Sequence, residues 1–144
     1  MRHAILLAAL GCLAVLGGSP ANAQSGPDAE ICATNNYDLH TPAQRVAACT
    51  ALIDAAKDAP APELSKLLLH RGVAYWYVNE KKRGLDDLDR AVALDPKNEI
   101  ALRERARLFG MSGRYDQGLV DVNEAIRLDP KDSIAFTVRG NIFQ

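Results

Sequence analysis

From residue 63 onward, apolar side chains recur every three or four positions, the spacing that gathers them on one face of an α-helix. Leu64, Leu67, Leu68, Val73, Tyr75 and Trp76 form one broad apolar arc, and Leu85, Leu88, Ala91, Val92 and Leu94 form the face of a second helix. The arrangement returns in Leu102, Ala106 and Phe109, followed by Leu119, Val122, Ala125, Ile126 and Leu128. Short polar turns around Asn79-Glu80 and Ser112-Gly113 separate the members of each pair and predict antiparallel hairpins. Pro96 and Pro130 fall between one pair and the next, where a residue without an N–H ends one helix and is expected to open the following one. No stretch makes a comparable case for a β-strand, so the pattern predicts an all-α chain.

The two pairs are copies at a fixed offset of 34 residues. Leu68/Leu102, Arg71/Arg105, Gly84/Gly118, Asp87/Asp121, Ala91/Ala125, Leu94/Leu128 and Pro96/Pro130 are identical across it, and Ile100/Ile134 and Arg105/Arg139 carry the register into a third copy. Such a period marks stacked units in which one hairpin cannot bury its own apolar face and its neighbours complete it.

Within each first helix a large residue is followed by a small one four positions later and an aromatic three beyond that: Leu68, Gly72, Tyr75; Leu102, Ala106, Phe109; Phe136, Gly140, Phe143. The second helices read Gly84, Leu88, Ala91, Pro96 and Gly118, Val122, Ala125, Pro130. In this set of residues the chain resembles the tetratricopeptide repeat (TPR) family. The resemblance covers residues 65 to 144 and implies antiparallel helix-turn-helix repeats stacked as a short right-handed α-solenoid. Two full repeats then occupy 63–96 and 97–130, with a partial third over 131–144. Gly84 and Gly118 stand where the family usually has Ala, which is expected to cost each helix about 0.5–1 kcal/mol and to loosen the hairpin. The sequence reaches Gln144 without a second helix for the third repeat, and Ile142 and Phe143 are not the polar face of a terminal cap. That edge is expected to meet a partner, to form a homo-oligomer, or to mark a shortened relative of a longer array.

Residues 1–23 differ from the rest. Arg2 precedes an apolar run from Ala4 to Gly17, and Ala21-Asn22-Ala23 offers the small side chains a signal peptidase accepts, so this is read as a secretory signal peptide cleaved after Ala23. The 14-residue run is shorter than the roughly 20 residues that span a bilayer, which argues against a retained anchor. Ala9-Leu10-Gly11-Cys12 is a poor lipoprotein signal. Of 144 residues, 121 then remain, and the formal charge of −1 becomes −2 as Arg2 departs. That charge gives no reason to expect nucleic acid or an anionic membrane as partner. Removing Cys12 turns three cysteines into a pair, Cys32 and Cys49. In an oxidising compartment the parity favours a disulfide, with two buried free thiols as the other reading. Over the 17-residue separation such a bond contributes on the order of 3 kcal/mol. Residues 24–62 are expected to form a helical hairpin that this bond staples, the second helix opening at Thr41, with Pro42 next and Gln44 three after the cap. The Cys-paired lead-in resembles that of exported TPR proteins of some proteobacteria.

Catalysis has no constellation to stand on. His40 and His70 are the histidines left after cleavage, neither beside a recognisable nucleophile, and His70 is read as a structural helix residue. No glycine loop is spaced to cradle phosphate, and no Cys or His spacing suits a metal. Asp86, Asp87 and Asp89, flanked by Lys81, Lys82, Arg83 and Arg90, are read as a solvated helix start. The expectation is a non-enzymatic chain without cofactor that binds a protein or peptide and is periplasmic or secreted. The resemblance assigns binding to the concave face made by the first helix of each repeat. Carried over by position, that face presents Lys66, Leu69, Val73, Trp76 and Tyr77, then Arg103, Arg107 and Met111, then Thr137 and Asn141. Trp76 and Tyr77 supply flat apolar area and the two arginines could grip a carboxylate, whereas core packing of Trp76 and a surface salt-bridge row are the ordinary alternatives. The asparagines with which family members clamp a terminal carboxylate are replaced here by Val73 and Arg107, leaving Asn141 alone.

Overall fold

The structure is a computed structural model that describes residues 26–34, 38–56 and 58–144. The proposed leader and its cleavage site lie outside the described residues. Seven helices follow one another among the described residues: α1 (Pro27–Ala33), α2 (Pro42–Ala55), α3 (Ala61–Tyr77), α4 (Lys81–Leu94), α5 (Glu99–Met111), α6 (Tyr115–Leu128) and α7 (Ser133–Ile142). They pack as successive hairpins, α1 on α2, α3 on α4 and α5 on α6, with α7 against α5 and α6. The first helices α1, α3, α5 and α7 also touch one another in order, so the hairpins stack with these helices on a shared side.

Local chemistry sets the boundaries. Thr41 and Gln44 form the expected capping box, each accepting from the other's backbone amide, at 2.8 Å on Gln44 and 3.3 Å on Thr41. The turns inside the two repeats need a left-handed residue. Asn79 (φ 65°) and Gly113 (φ 74°) supply it one period apart. The amides of Glu80 and Arg114 then reach back to the carbonyls of Tyr75 and Phe109 at 2.9 Å, closing α3 and α5. Pro96 and Pro130 behave differently from expectation: they follow α4 and α6 but do not open the next helix. Asn98 and Asp132 do that by capping α5 and α7, their side-chain oxygens accepting from Ala101 and from Ile134 and Ala135. A short polar side chain at the N-cap satisfies an amide that proline two residues earlier cannot reach.

Three apolar clusters run along the stack. Cys32, Ala48, Cys49 and Leu52 join α1 to α2; Leu68, Leu69, Trp76, Leu88, Ala91, Ala101 and Leu108 join α3, α4 and α5; Ala106, Val122, Ala135, Val138 and Ile142 join α5, α6 and α7. Cys32 and Cys49 form a disulfide with an S–S distance of 2.09 Å. A buried polar chain crosses the first repeat: Ser65 donates to the Ala91 carbonyl at 2.8 Å and accepts from Asn98 Nδ2 at 3.1 Å.

The helices of each repeat approach closely enough to reverse the expectation for Gly84. A Cβ built there would lie 2.7 Å from the backbone oxygen of Gly72, and one at Gly72 would lie 2.8 Å from that of Gly84. At Gly118 the Ala106 carbonyl oxygen would be 3.0 Å away. The missing methyl at position 84 therefore allows contact and does not loosen it. Asp87 also departs from the sequence reading: it is buried, not solvated, and takes a two-pronged ion pair from Arg71, Nε to Oδ2 at 2.7 Å and Nη2 to Oδ1 at 2.9 Å. Arg105 and Asp121 repeat the pair at 2.6 and 2.8 Å.

Two glycine substitutions should therefore act in opposite directions. Gly84→Ala forces two backbones apart and is expected to destabilise by about 1–3 kcal/mol despite its better helix propensity. Gly140→Ala, where a Cβ meets nothing within 4 Å, should stabilise by about 0.5–1 kcal/mol. Urea unfolding of the two variants checks this, and equal effects of the same sign would contradict it.

Candidate functional site

Helical spacing makes a stripe along α5 from Ile100 through Arg103, Glu104 and Arg107 to Met111. The residues one period earlier and later lie on α3 and α7, so three parallel stripes form a surface on the first-helix side. Its two ends are apolar and open. Ile100 and Ile134 are exposed near the helix starts, and Tyr77 and Met111 near the helix ends. The 11 residue steps from Ile100 to Met111 separate the ends by about 16 Å along the axis.

The middle is polar and already internally paired. Arg103 Nη1 donates to Asp132 Oδ2 at 2.6 Å, and its Nη2 lies 3.4 Å from Glu104. Arg107 Nε donates to Glu104 Oε2 at 2.9 Å, with Nη2 at 2.8 Å from the same oxygen. Burial disfavours the charged form of Asp132, yet hydrogen bonds from Arg103 and from the Ala135 and Ile134 amides outweigh it and hold the carboxyl below its ordinary range. Arg103 thus ties α5 to the cap of α7, a use of the guanidinium that the expected carboxylate grip did not include.

The other expected positions divide by burial. Leu69 and Trp76 are 4% and 7% exposed and belong to the core, with Val73 packed against it, which takes Leu69 and Trp76 off the accessible face. Lys66, Tyr77, Met111, Thr137 and Asn141 are exposed, Thr137 donating to the Ser133 carbonyl at 3.0 Å. Ile100 and Ile134 were not among the expected binding positions, although they stand one and two periods after Lys66 and the period alone would have found them.

At the α1 end the surface deepens into a cavity of about 730 Å³ between α1, the end of α2 and the start of α3. Ala29, Leu52, Pro60 and Leu67 supply apolar wall, and Glu63, Lys66 and His70 supply polar atoms. Burial, and then the positive charge of Arg45, push His70 below the ordinary histidine range. Among the described residues no group of three His, Cys, Asp or Glu side chains is placed to hold a metal, and no helix is long and apolar enough to cross a membrane.

No protein-family model and no curated protein matches the sequence. Solved structures do resemble the fold. The second TPR domain of the human RPAP3 protein, determined by NMR in complex with an HSP70 peptide, superposes with a TM-score of 0.71 at 18% identity, covering 88% of this chain and 99% of that domain. The first TPR domain of the same human protein gives 0.72 at 20% identity, covering 88% of this chain and 93% of that one. The chain has the helix-turn-helix stacking of TPR domains.

The His70 environment predicts a pH dependence. The unfolded chain protonates this ring at a higher pH than the folded chain, so the stability that the neutral ring contributes is complete well above pH 6.5 and is lost as pH falls below it. Unfolding free energies at pH 7.5 and pH 5 should fall further for the wild type than for His70→Gln. Equal losses would show that the ring does not contribute.

Proposed function

We propose that this chain is an exported, non-catalytic interaction module that holds a peptide or protein segment on its first-helix face. The mature chain would begin at Gln24, with residues 24–62 as a disulfide-stapled lead-in hairpin and residues 63–144 as the repeat domain. The observation that carries the reading is the pair of exposed apolar rows, Ile100 with Ile134 and Tyr77 with Met111, at opposite ends of adjacent parallel helices. Scattered apolar residues need no explanation, but rows repeated at one period on one side of a stack form a surface.

Arg103, Glu104, Arg107 and Asp132 neutralise one another between the rows, so recognition rests on apolar anchors and neutral hydrogen bonds from Thr137 and Asn141 more than on charge. An extended segment of about five residues spans the distance between the rows. The peptide bound by the human RPAP3 domain supports this use of the fold by fold-level analogy alone. Export is supported by the leader pattern and by the disulfide, which persists in oxidising compartments.

Affinity capture from a periplasmic extract tests both parts. The mature wild type, with an intact mass beginning at Gln24, should retain a partner that Tyr77→Ala/Met111→Ala and Ile100→Ser/Ile134→Ser release. Val120→Ser, on the exposed side of α6, should retain it. Retention by both double variants would remove the face from consideration, and an uncleaved cytoplasmic chain would remove the export reading.

A further inference from the structure

The last residue of α5 carries a chemistry that neither the core nor the caps use. Met111 is 60% exposed, and its Sδ accepts from Nη1 of Arg107, one helical turn earlier, at 3.6 Å. The other methionine of the chain, Met1, lies outside the described residues. Arg107 reaches the sulfur with the nitrogen that Glu104 leaves over, since Nε and Nη2 both lie against Glu104 Oε2, at 2.9 and 2.8 Å. The guanidinium is therefore oriented by an ion pair beside a thioether that solvent reaches. A planar fork anchored through two nitrogens loses little freedom when the third takes an acceptor.

A thioether sulfur is a weak acceptor. Its two lone pairs are nearly equivalent in a free side chain, but here an N–H occupies one and leaves the other to an incoming electrophile. We propose that Met111 is an oxidative modification site for peroxide, at which Arg107 selects the lone pair that reacts and then holds the sulfoxide oxygen. The free lone pair attacks one oxygen of hydrogen peroxide. The S–O bond forms as the O–O bond breaks, the sulfur is oxidised by two electrons, and the hydrogen on the transferred oxygen passes to the departing hydroxide to give water. Rotation about the Cγ–Sδ bond brings the new oxygen to Nη1, where a charged donor meets a stronger acceptor than the sulfur. Thiol-dependent reductases reverse the step, one enzyme for each sulfoxide epimer.

The modification bears on the binding face. Met111 shares its row with Tyr77, and a sulfoxide puts a polar group where that row is apolar. Loss of an anchor for the bound segment rests on the function proposed above. Oxidation directed by Arg107 does not, and its test needs no partner, so the two readings fail separately.

The folded chain is treated with dilute hydrogen peroxide, the sulfoxide is located by peptide mapping as a gain of one oxygen at Met111, and its epimers are counted from the fraction that each epimer-specific reductase restores. One epimer should exceed the other by about threefold. The excess should fall to near parity in Arg107→Leu, a variant in which Glu104 keeps Arg103 at 3.4 Å, and in wild-type chain oxidised in concentrated urea. Equal epimers from the folded wild type, an excess that survives Arg107→Leu or urea, or a Met111 that peroxide leaves unmodified would each overturn the proposal.

Discussion

The structure depends on an arginine that recurs every repeat. Arg71 and Arg105 each lie in a first helix and hold a buried aspartate, Asp87 or Asp121, 16 residues later in the second helix of the same hairpin. Arg105 also reaches back to Asp89 at 3.0 Å, and Arg71 to the Thr50 hydroxyl at 3.3 Å, so each arginine links its own hairpin to the one before. The pair is buried because the helices meet backbone to backbone at Gly72 and Gly84 and at Ala106 and Gly118, and that spacing leaves little water around the carboxylate. A pair this enclosed adds little net stability over a well-packed apolar pair, but breaking one side of it is costly, which fixes helix register.

The same stapling decides what the molecule offers to others. Arg103 is committed to the Asp132 cap and Arg107 to Glu104, so the side formed by the first helices presents apolar rows, neutral hydrogen-bonding groups and the exposed Lys66 in place of two accessible arginines. Trp76 and Leu69 are used inside the stack, where they seat α3 against α4 and α5. At the α7 end the periodic positions Phe136 and Phe143 are exposed among the described residues, and Arg139 has an amide in place of an acid. Surface chemistry here follows from which repeat positions find their counterpart.

Much of this fold was legible in the residues. The 34-residue period located the hairpins, the turns at Asn79 and Gly113 and the small-residue positions, and cysteine parity pointed to the bond between Cys32 and Cys49. What escaped were properties that depend on distance between helices. Propensity marks Gly84 as a cost, and only the approach of the Gly72 carbonyl shows why a methyl group does not fit. Asp87 looked solvated because its neighbours in sequence are charged, although the joint recurrence of Arg71/Arg105 and Asp87/Asp121 was visible and is the signal of their pairing. The prolines masked Asn98 and Asp132 as helix starts, and without the Asp132 cap the commitment of Arg103 could not be read. Ile100 and Ile134 were seen as matching positions, but their exposure depends on the stack.

A double-mutant cycle on Arg71 and Asp87 tests the central claim most directly. Unfolding free energies are measured for Arg71→Met, Asp87→Leu and the two combined. Each single change should cost about 3–5 kcal/mol by leaving the other charge buried without its partner. The double variant should cost much less than their sum, a coupling of about 2 kcal/mol or more. Single effects that add to within about 0.5 kcal/mol would contradict the account, because the two charges would then not be acting on each other.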